Sequence, residues 1–448
     1  MIWNSVEACS RSEMQSIQLD RLQKTVGDIY DKNPVYKKRL DEAGVKPADI
    51  KSLDDIRRIP FTVKDDLRDN YPFDLFTASR EEIVEYHATS GTTGKPIVVG
   101  YTRNDIETWS EVMARCMTSC GITSKDVLQN IYGYGLFTGG LGAHYGGLKI
   151  GAGVIPISGG NTQKQIMLMQ DFGTTSLTVT PSFLMYLYEV GVEMGVDFKK
   201  LNLRTALLGS EFWTESMREK IQESFGLKAY DIYGLTEITG PGVSCECHEA
   251  QNGMHINEDY FYPEIINPAT GEALPVGDEG ELVFTTIGKE GQPLLRYRTR
   301  DITSLSLEPC VCGRTLIKMK KLTGRTDDML IIRGVNFFPS QIESIILKHQ
   351  GVTPNYLVVV DRQGTLDEVE VRIEVTAQYA TKPVHEVFNE SADQIVSDEM
   401  ATRDIVKALV RDIKDVVGIT VKVTLVPPGT IPRSEGKAKR YIDNRQKR

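Results

Sequence analysis

The stretch Glu85–Thr102, EYHATSGTTGKPIVVGYT, sets Ser90, Gly91, Thr92, Thr93, Gly94 and Lys95 between two runs that read as β-strands, IVEYHA before and PIVVGYT after. Small hydroxyls, glycines and one lysine suit a loop that wraps the phosphates of a nucleotide, with backbone N–H groups and one ammonium facing the anion. The loop is not the P-loop of nucleoside triphosphatases. The glycine required five residues before Gly94 is Thr89, and the hydroxyl required after Lys95 is replaced by Pro96. Taken alone, the stretch is equally a Gly/Thr turn between two strands, so the phosphate reading needs partners elsewhere in the chain.

Working outward, 448 residues exceed one ordinary core and predict a large domain plus a smaller one. With 40% hydrophobic and 25% charged residues the composition is that of a globular protein. No apolar run approaches the roughly 18 residues of a membrane span, and MIWNSVEACSRSEMQ lacks the layout of a secretory signal, so a cytoplasmic protein without a membrane partner is expected. A net charge of −9 argues against nucleic-acid binding, although SEGKAKRYIDNRQKR at the C-terminus is locally basic.

From about residue 15 to 305, helical patterns alternate with short apolar runs, DVLQNIYGYG, GVIPIS, SLTVT and TALLGS, which predicts an α/β fold with largely buried strands. Helical spacing of Ile106, Trp109, Met113 and Met117 puts Cys116 and Cys120 on a core face. The pattern changes near Gly324–Asp328 to a compact α+β segment. There Ser340 and Glu343 read as a capping box opening a helix with Ile342, Ile345 and Ile346 as its buried stripe. Val369, Val371, Ile373 and Val375 alternate as a strand, SDEMATRDIVKALVRDIKDVVG is an amphipathic helix, and TVKVTLV is a further strand. The expected domains are 1–325 and 326–448.

The loop's companions are LLGSE (207–211), DIYGLTE (231–237), RYRTRD (296–301), GRTDDMLIIRGVNFFPSQIE (324–343) and RSEGKAKR (433–440). In this order and spacing they resemble the adenylate-forming superfamily. HATSGTTGKP, YGLTEITGPGV, LLRYRTRD and DDMLIIRGVNFFPSQIE are most similar to the phenylacetate-coenzyme A ligase family. The resemblance implies a large AMP-binding α/β domain with a small, mobile C-terminal α+β domain. It implies an enzyme that uses ATP and Mg²⁺ to convert a phenylacetate-like aryl acid into acyl-AMP with release of pyrophosphate, then passes the acyl group to coenzyme A. Transfer to a carrier protein's phosphopantetheine, or a non-catalytic nucleotide-binding role, are the competing readings. A homodimer is also implied.

By the same resemblance Ser90, Thr92, Thr93 and Lys95 hold the pyrophosphate, Thr236 bonds the α-phosphate and Glu237 binds Mg²⁺. Tyr233 lies against the adenine with Gly209, Ser210 and Glu211 along its edge, and Asp231 and Gly234 belong to the same nucleotide site. Asp301 accepts from the ribose, supported by Arg325. Lys437 is the catalytic lysine of the C-terminal domain, Asp327 the hinge, and Gly334 the residue facing coenzyme A. The wider superfamily often has glycine where this chain has Arg300, to which no role is given. The acid pocket is expected around Tyr132, Phe137, His144, Gly209, Ile238, Thr239, Gly240 and Pro241, with neighbouring glycines making room and His144 a pocket wall rather than a base.

Separately from the resemblance, SCECHEAQNGMHI and EPCVCGR cluster thiols and imidazoles either side of a hairpin-rich stretch. Soft ligands of this kind suit a closed tetrahedral structural Zn²⁺, with Cys247, His255, Cys310 and Cys312 as the set and Cys245 or His248 as substitutes. Scattered free thiols are the alternative.

Overall fold

The structure is a computed structural model and describes residues 1–89, 96–326, 330–332, 335–363, 366–379, 400–433 and 440–445. The chain packs as two compact units, one made of 1–179, 197–210 and 227–326, the other of 180–196, 211–226 and 327–448.

The first unit opens with helices α1 (Arg11–Lys32) and α2 (Pro34–Glu42). Ser10 caps α1 through a box with Glu13, and the Asn33 side chain accepts from Tyr36 N to start α2. Short α3 (Lys64–Asp69) precedes the antiparallel pair β1 (Ile83–Ala88) and β2 (Val98–Thr102), which flank the phosphate-loop candidate as the sequence predicts. Then follow α4 (Arg103–Ser119), β3 (Val127–Asn130), α5 (Thr138–Ile150), β4 (Gly153–Ile155), α6 (Thr162–Asp171) and β5 (Ser176–Val179). Trp109, Val112, Met113, Cys116 and Met117 of α4 are fully buried, the face that the helical spacing indicates.

In the second unit, α7 (Pro181–Glu193) packs on α8 (Glu215–Phe225). Between them in the chain, β6 (Thr205–Leu208) belongs to the first unit, as do β7 (Lys228–Leu235), β8 (Gly240–Cys245), β9 (Met254–Ile256), β10 (Phe261–Ile266), β11 (Glu279–Thr286), β12 (Tyr297–Ser306), β13 (Lys318–Met319) and β14 (Gly324–Arg325). These strands form a sheet of order β10-β11-β12-β13-β9-β8-β7-β6-β5-β3-β4, with β14 paired to β12. Pairings from β7 through β6, β5 and β3 to β4 are parallel and the rest antiparallel. Every residue of β5 and β6 is buried, which is why those segments read as continuous apolar runs rather than as alternations.

The second unit continues with β15 (Leu330–Ile332), β16 (Val335–Phe337), α9 (Pro339–Ile346), the hairpin β17 (Val352–Gln363) and β18 (Leu366–Val375), α10 (Met400–Val417), β19 (Lys422–Val426) and β20 (Tyr441–Asp443). Sheet order is β19-β18-β17-β20, with both outer pairings parallel. Val369, Val371, Ile373 and Val375 are buried against Ile342, Ile346, Leu409 and Ile413 as the alternation predicts. The capping box differs from expectation. The helix starts at Pro339, Gln341 makes the bond back to Phe338 N (3.1 Å), and Glu343 is buried, accepting from Thr214 N (3.2 Å). Glu343 is therefore committed to tertiary contacts, which spacing along one helix does not reveal.

Among the described residues no helix is long and apolar enough to cross a membrane.

Candidate active site

Strand β1 delivers Thr89 to the base of the loop. Thr89 N donates to Ile97 O and Ile97 N to Thr89 Oγ1, both at 3.0 Å, so the two ends of the segment are clamped together. Ser90, Thr92, Thr93 and Lys95 lie outside the described residues, as do Asp327, Gly334 and Lys437. The flanks of the Lys437 segment are fixed within the second unit. Arg433 makes a bidentate pair with the fully buried Glu374 (2.8 Å from Nη1 and from Nη2) and meets Glu189 at 3.1 Å. Arg440 lies over the Tyr356 ring at 4.7 Å and reaches Pro354 O (3.2 Å) and Glu343 (3.4 Å).

In the first unit, Tyr233 on β7, Asp301 on β12 and Arg325 on β14 form one polar group. Tyr233 OH donates to Asp301 Oδ2 at 2.6 Å and Arg325 Nη1 to Oδ1 at 2.8 Å, the latter across the register that pairs Asp301 with Arg325. Burial, then the Asp301 carboxylate, drive the Tyr233 hydroxyl well above its ordinary range and keep it a donor. Asp231 is buried, with its N–H on Glu246 Oε2 (2.7 Å). Backbone crowding explains two of the site's glycines: a Cβ on Gly234 would lie 1.9 Å from Gly240 O, and one on Gly209 would lie 2.4 Å from Ile232 O. Ser210 follows at φ +70°. Glu211 lies in the second unit, where its carboxylate accepts from Ser182 N (2.5 Å).

The turn after β7 holds Thr236 and Glu237. Thr236 Oγ1 is 3.4 Å from Thr138 Oγ1 at the start of α5. Glu237 is buried and faces Lys64 Nζ of α3 at 3.7 Å. Behind it Lys289 Nζ donates to Ile238 O (2.7 Å) and lies 4.7 Å over the Tyr101 ring. Burial pulls the Lys289 ammonium down to about 8, against the upward pull of Asp105 and Glu237. Sequence reasoning missed Lys64 and Lys289, because isolated lysines carry no spacing signal. The buried Glu237 carboxylate is a hard oxygen ligand of the kind Mg²⁺ takes, one or two from the protein with the rest of its shell from phosphates and water.

Around the acid segment, Tyr132 is buried with its hydroxyl on Val179 O (3.0 Å), while Phe137 is 52% exposed at the N-cap of α5. His144 Nδ1 meets Tyr134 OH at 3.1 Å, and burial lowers the imidazole below its ordinary range. Ile238 and Thr239 are buried; Gly240 sits at φ +94°, where a Cβ would strike Thr138 and Trp109, and Pro241 O accepts from Trp109 Nε1 (2.9 Å). The glycines of α5 correct one expectation. Cβ atoms on Gly142 and Gly146 would strike Trp109 and Met113, both at 2.6 Å, so these glycines admit close helix packing against α4 and make no room for a ligand.

The metal candidates separate cleanly. Cys247, His255, Cys310 and Cys312 bring their donor atoms within 4.8 Å of one another. The scaffold is the run β8-β9-β13-β12: Cys247 follows β8, His255 lies on β9, and the two remaining cysteines occupy the turn from β12 to β13. Zinc–sulfur and zinc–nitrogen bonds of about 2.3 and 2.05 Å give tetrahedral edges of about 3.8 Å (S–S) and 3.5 Å (S–N). The observed separations are 3.6 Å for Cys247–Cys310 and 3.4 Å for Cys312–His255 Nε2. The hydrogen bond between Cys247 and Cys312 holds the Cys312 thiol below its usual range and pushes the Cys247 thiol up, so the two sulfurs act as one coupled pair. The substitutes go elsewhere. Cys245 sits 3.2 Å from Cys120 against α4, and His248 Nδ1 bonds Tyr230 OH (2.5 Å). Strand β8 ends at Cys245, so the face-sharing of residues two apart stops there. Arg314 anchors the same turn to the chain's start, with Nε on Glu7 Oε2 (2.7 Å) and Thr315 N on Glu7 O (3.0 Å).

The family model for AMP-binding enzymes matches residues 6–288, and that for the AMP-binding enzyme C-terminal domain matches 334–445. The chain is 49% identical over 447 residues to a phenylacetate-coenzyme A ligase of Thermus thermophilus, covering 98% of this chain and 99% of that one. It is 46% identical over 441 residues to the ligase of the same name from Escherichia coli, at 98% and 97% coverage. Among solved structures, 2-hydroxyisobutyryl-CoA ligase in the postadenylation state, in complex with R3-HIB-AMP, aligns with a TM-score of 0.90 at 27% identity, over 98% of this chain and 92% of that one.

Proposed function

As a chain that belongs to the AMP-binding enzymes and, within them, to the phenylacetate-coenzyme A ligases, the protein is an AMP-forming acid–coenzyme A ligase acting through an acyl-adenylate, and we propose that its acid is an aryl acid of the phenylacetate class. The observation that carries this reading of the acid is near full-length identity of 46–49% to ligases of that name, joined to an aromatic segment at Tyr132–Phe137.

A carboxylate is too poor an electrophile to acylate a thiol at neutral pH, so it is first exchanged onto the α-phosphate of ATP, with pyrophosphate as leaving group. Two anions must meet, and the protein's work is positioning and charge compensation. In this reading Asp301, oriented by Tyr233 and Arg325, accepts from the ribose hydroxyls, while Gly209, Ser210, Asp231 and Gly234 shape the rest of the nucleotide site. Glu211 closes the adenine edge. Thr236 bonds the α-phosphate and Glu237 holds Mg²⁺, which supplies charge neutralisation. Ser90, Thr92, Thr93 and Lys95 take the pyrophosphate, and Lys437 bridges carboxylate and phosphate during adenylation. The acid lies against Tyr132, Phe137, His144, Ile238, Thr239, Gly240 and Pro241. Residues 1–325 form the AMP-binding domain and 326–448 the mobile one. Asp327 acts as the hinge and Gly334 leaves space for coenzyme A.

Cys247, His255, Cys310 and Cys312 would hold Zn²⁺ in a structural role, supported by donor separations close to tetrahedral edges. ATP, coenzyme A and free thiols belong to the cytoplasm, and the family resemblance supports a homodimer. Acid-dependent exchange of pyrophosphate into ATP, followed by AMP release on adding coenzyme A, tests the reaction across a panel of aryl and alkyl acids. Activity with short alkyl acids in preference to phenylacetate would overturn the assignment of the acid.

A further inference from the structure

We propose that His87, held by Glu85, is a positioning residue that couples the grip on the nucleotide's phosphates to the grip on the acid. The proposal rests on reading 90–95 as the phosphate segment and 131–138 as the acid segment.

His87 is the second-last residue of β1, which runs directly into the phosphate segment, and its side chain is 1% exposed. Its Nδ1 lies 3.0 Å from Leu136 O, and Ala88 N donates to the same carbonyl at 3.0 Å. A carbonyl only accepts, so Nδ1 carries a proton. On the other side Nε2 faces Glu85 Oε1 at 2.6 Å, leaving imidazole and carboxylate to share a second proton. Tyr145 OH on α5 donates to Glu85 Oε2 at 2.5 Å. Burial opposes ionisation of Glu85, yet hydrogen bonds from His87 and Tyr145 hold its carboxyl below the usual range.

The ring also stands edge-on to Tyr101 (5.5 Å) and Trp109 (5.6 Å). Tyr101 OH donates to Thr239 O at 3.2 Å and Trp109 Nε1 to Pro241 O at 2.9 Å. One imidazole thus bonds the segment before α5 from the end of β1, and meets edge-on the two rings, Tyr101 and Trp109, that donate to the turn after β7. Ile131, Tyr132 and Thr138 hold the ends of the segment before α5 by burial, but at its tip Leu136 and Phe137 are 63% and 52% exposed, and there the backbone is met by the two hydrogen bonds on Leu136 O. Stability alone gives no reason for an ionisable pair here, since an apolar pair of equal volume is often as stable. The pair instead supplies directional bonds, and a shift at the end of β1 is passed to the acid segment through a shared acceptor.

The test uses the whole chain and two binding measurements. The acid that best supports pyrophosphate–ATP exchange is titrated calorimetrically with and without α,β-methylene ATP, which cannot be adenylated. The ratio of the two affinities is the coupling factor, expected at about fivefold or more in the wild type. His87→Leu should bring it within twofold of unity. His87→Asn, which can keep a donor near Nδ1, should retain most of it. Should His87→Leu fail to fold, His87→Gln, which keeps the contact with Glu85 but not the donor toward Leu136, carries the same expectation. A wild-type ratio near one, or an unchanged ratio in a folded His87→Leu or His87→Gln protein, overturns the coupling while leaving the reaction standing. Absence of exchange with every acid would remove the reading beneath it as well.

Discussion

Replacing Cys310 by serine tests the metal site at one of its two half-buried members. The four donors lie within 4.8 Å of one another, with S–S and S–N separations of 3.6 and 3.4 Å that suit a tetrahedral ion. An ion that binds only the folded chain stabilises it by RT ln(1 + [Zn]/Kd), about 4 kcal/mol when free zinc exceeds Kd a thousandfold. For a unit of this size roughly 2 °C of melting temperature corresponds to 1 kcal/mol, which gives an expected loss of about 8 °C in Cys310→Ser or on adding a strong chelator. Scanning calorimetry in buffered zinc reads the shift, and elemental analysis of protein purified without chelator should find one zinc per chain. A variant that melts with the wild type, or protein free of zinc, would refute the reasoning. The adenylation rate should change far less than the melting temperature, because Tyr233, Asp301 and Arg325 are held by bonds to one another while the four ligands sit after β8, on β9 and in the β12–β13 turn.

Lys437→Ala should lower adenylation by about 100- to 1000-fold and spare thiolysis of supplied acyl-AMP, checked by running the half-reactions separately. Asp301→Ala removes the acceptor of two charge-assisted bonds and should raise KM for ATP roughly 10- to 100-fold while moving KM for the acid less than threefold in steady-state assays. Lys289 titrates near 8 in the fold against a higher value unfolded, so above pH 8 the unfolded chain holds the extra proton and stability rises with pH. Wild type should therefore gain on Lys289→Met between pH 8 and 10 in urea titrations, and a constant difference would contradict the buried ammonium. Arg300 adopts φ +67°, so Arg300→Gly should lie within about 1 kcal/mol of wild type, whereas Arg300→Val should lose about 1–3 kcal/mol by denaturant midpoint.

What the sequence made legible follows its local rules. Short runs such as SLTV and TALL indicated buried strands of an α/β domain, and the alternation of Val369 to Val375 indicated a strand with one covered face, because periodicity reports burial directly. Cys247, and not Cys245, lies with His255, Cys310 and Cys312, and spacing alone does not separate the two cysteines because the difference turns on where β8 ends. Ser340 and Glu343 had the spacing of a cap, but a partner 129 positions away, Thr214, claims the carboxylate. His87 lay inside the very stretch that prompted the phosphate reading and went unweighed. Its significance comes from Leu136 O and Tyr145, which only the folded arrangement brings to it.

The bond from Arg314 to Glu7 has a consequence for biosynthesis. Glu7 is made 307 positions before the guanidinium that pairs with its carboxylate. At about 5–20 residues per second that is a wait of about 15–60 s. During this time the cysteines that complete the metal site are also missing. Pairing of Glu7 with Arg314 and maturation of the β12–β13 turn are therefore late, shared events, and a nascent chain stalled short of residue 314 would leave the Glu7 carboxylate without that partner.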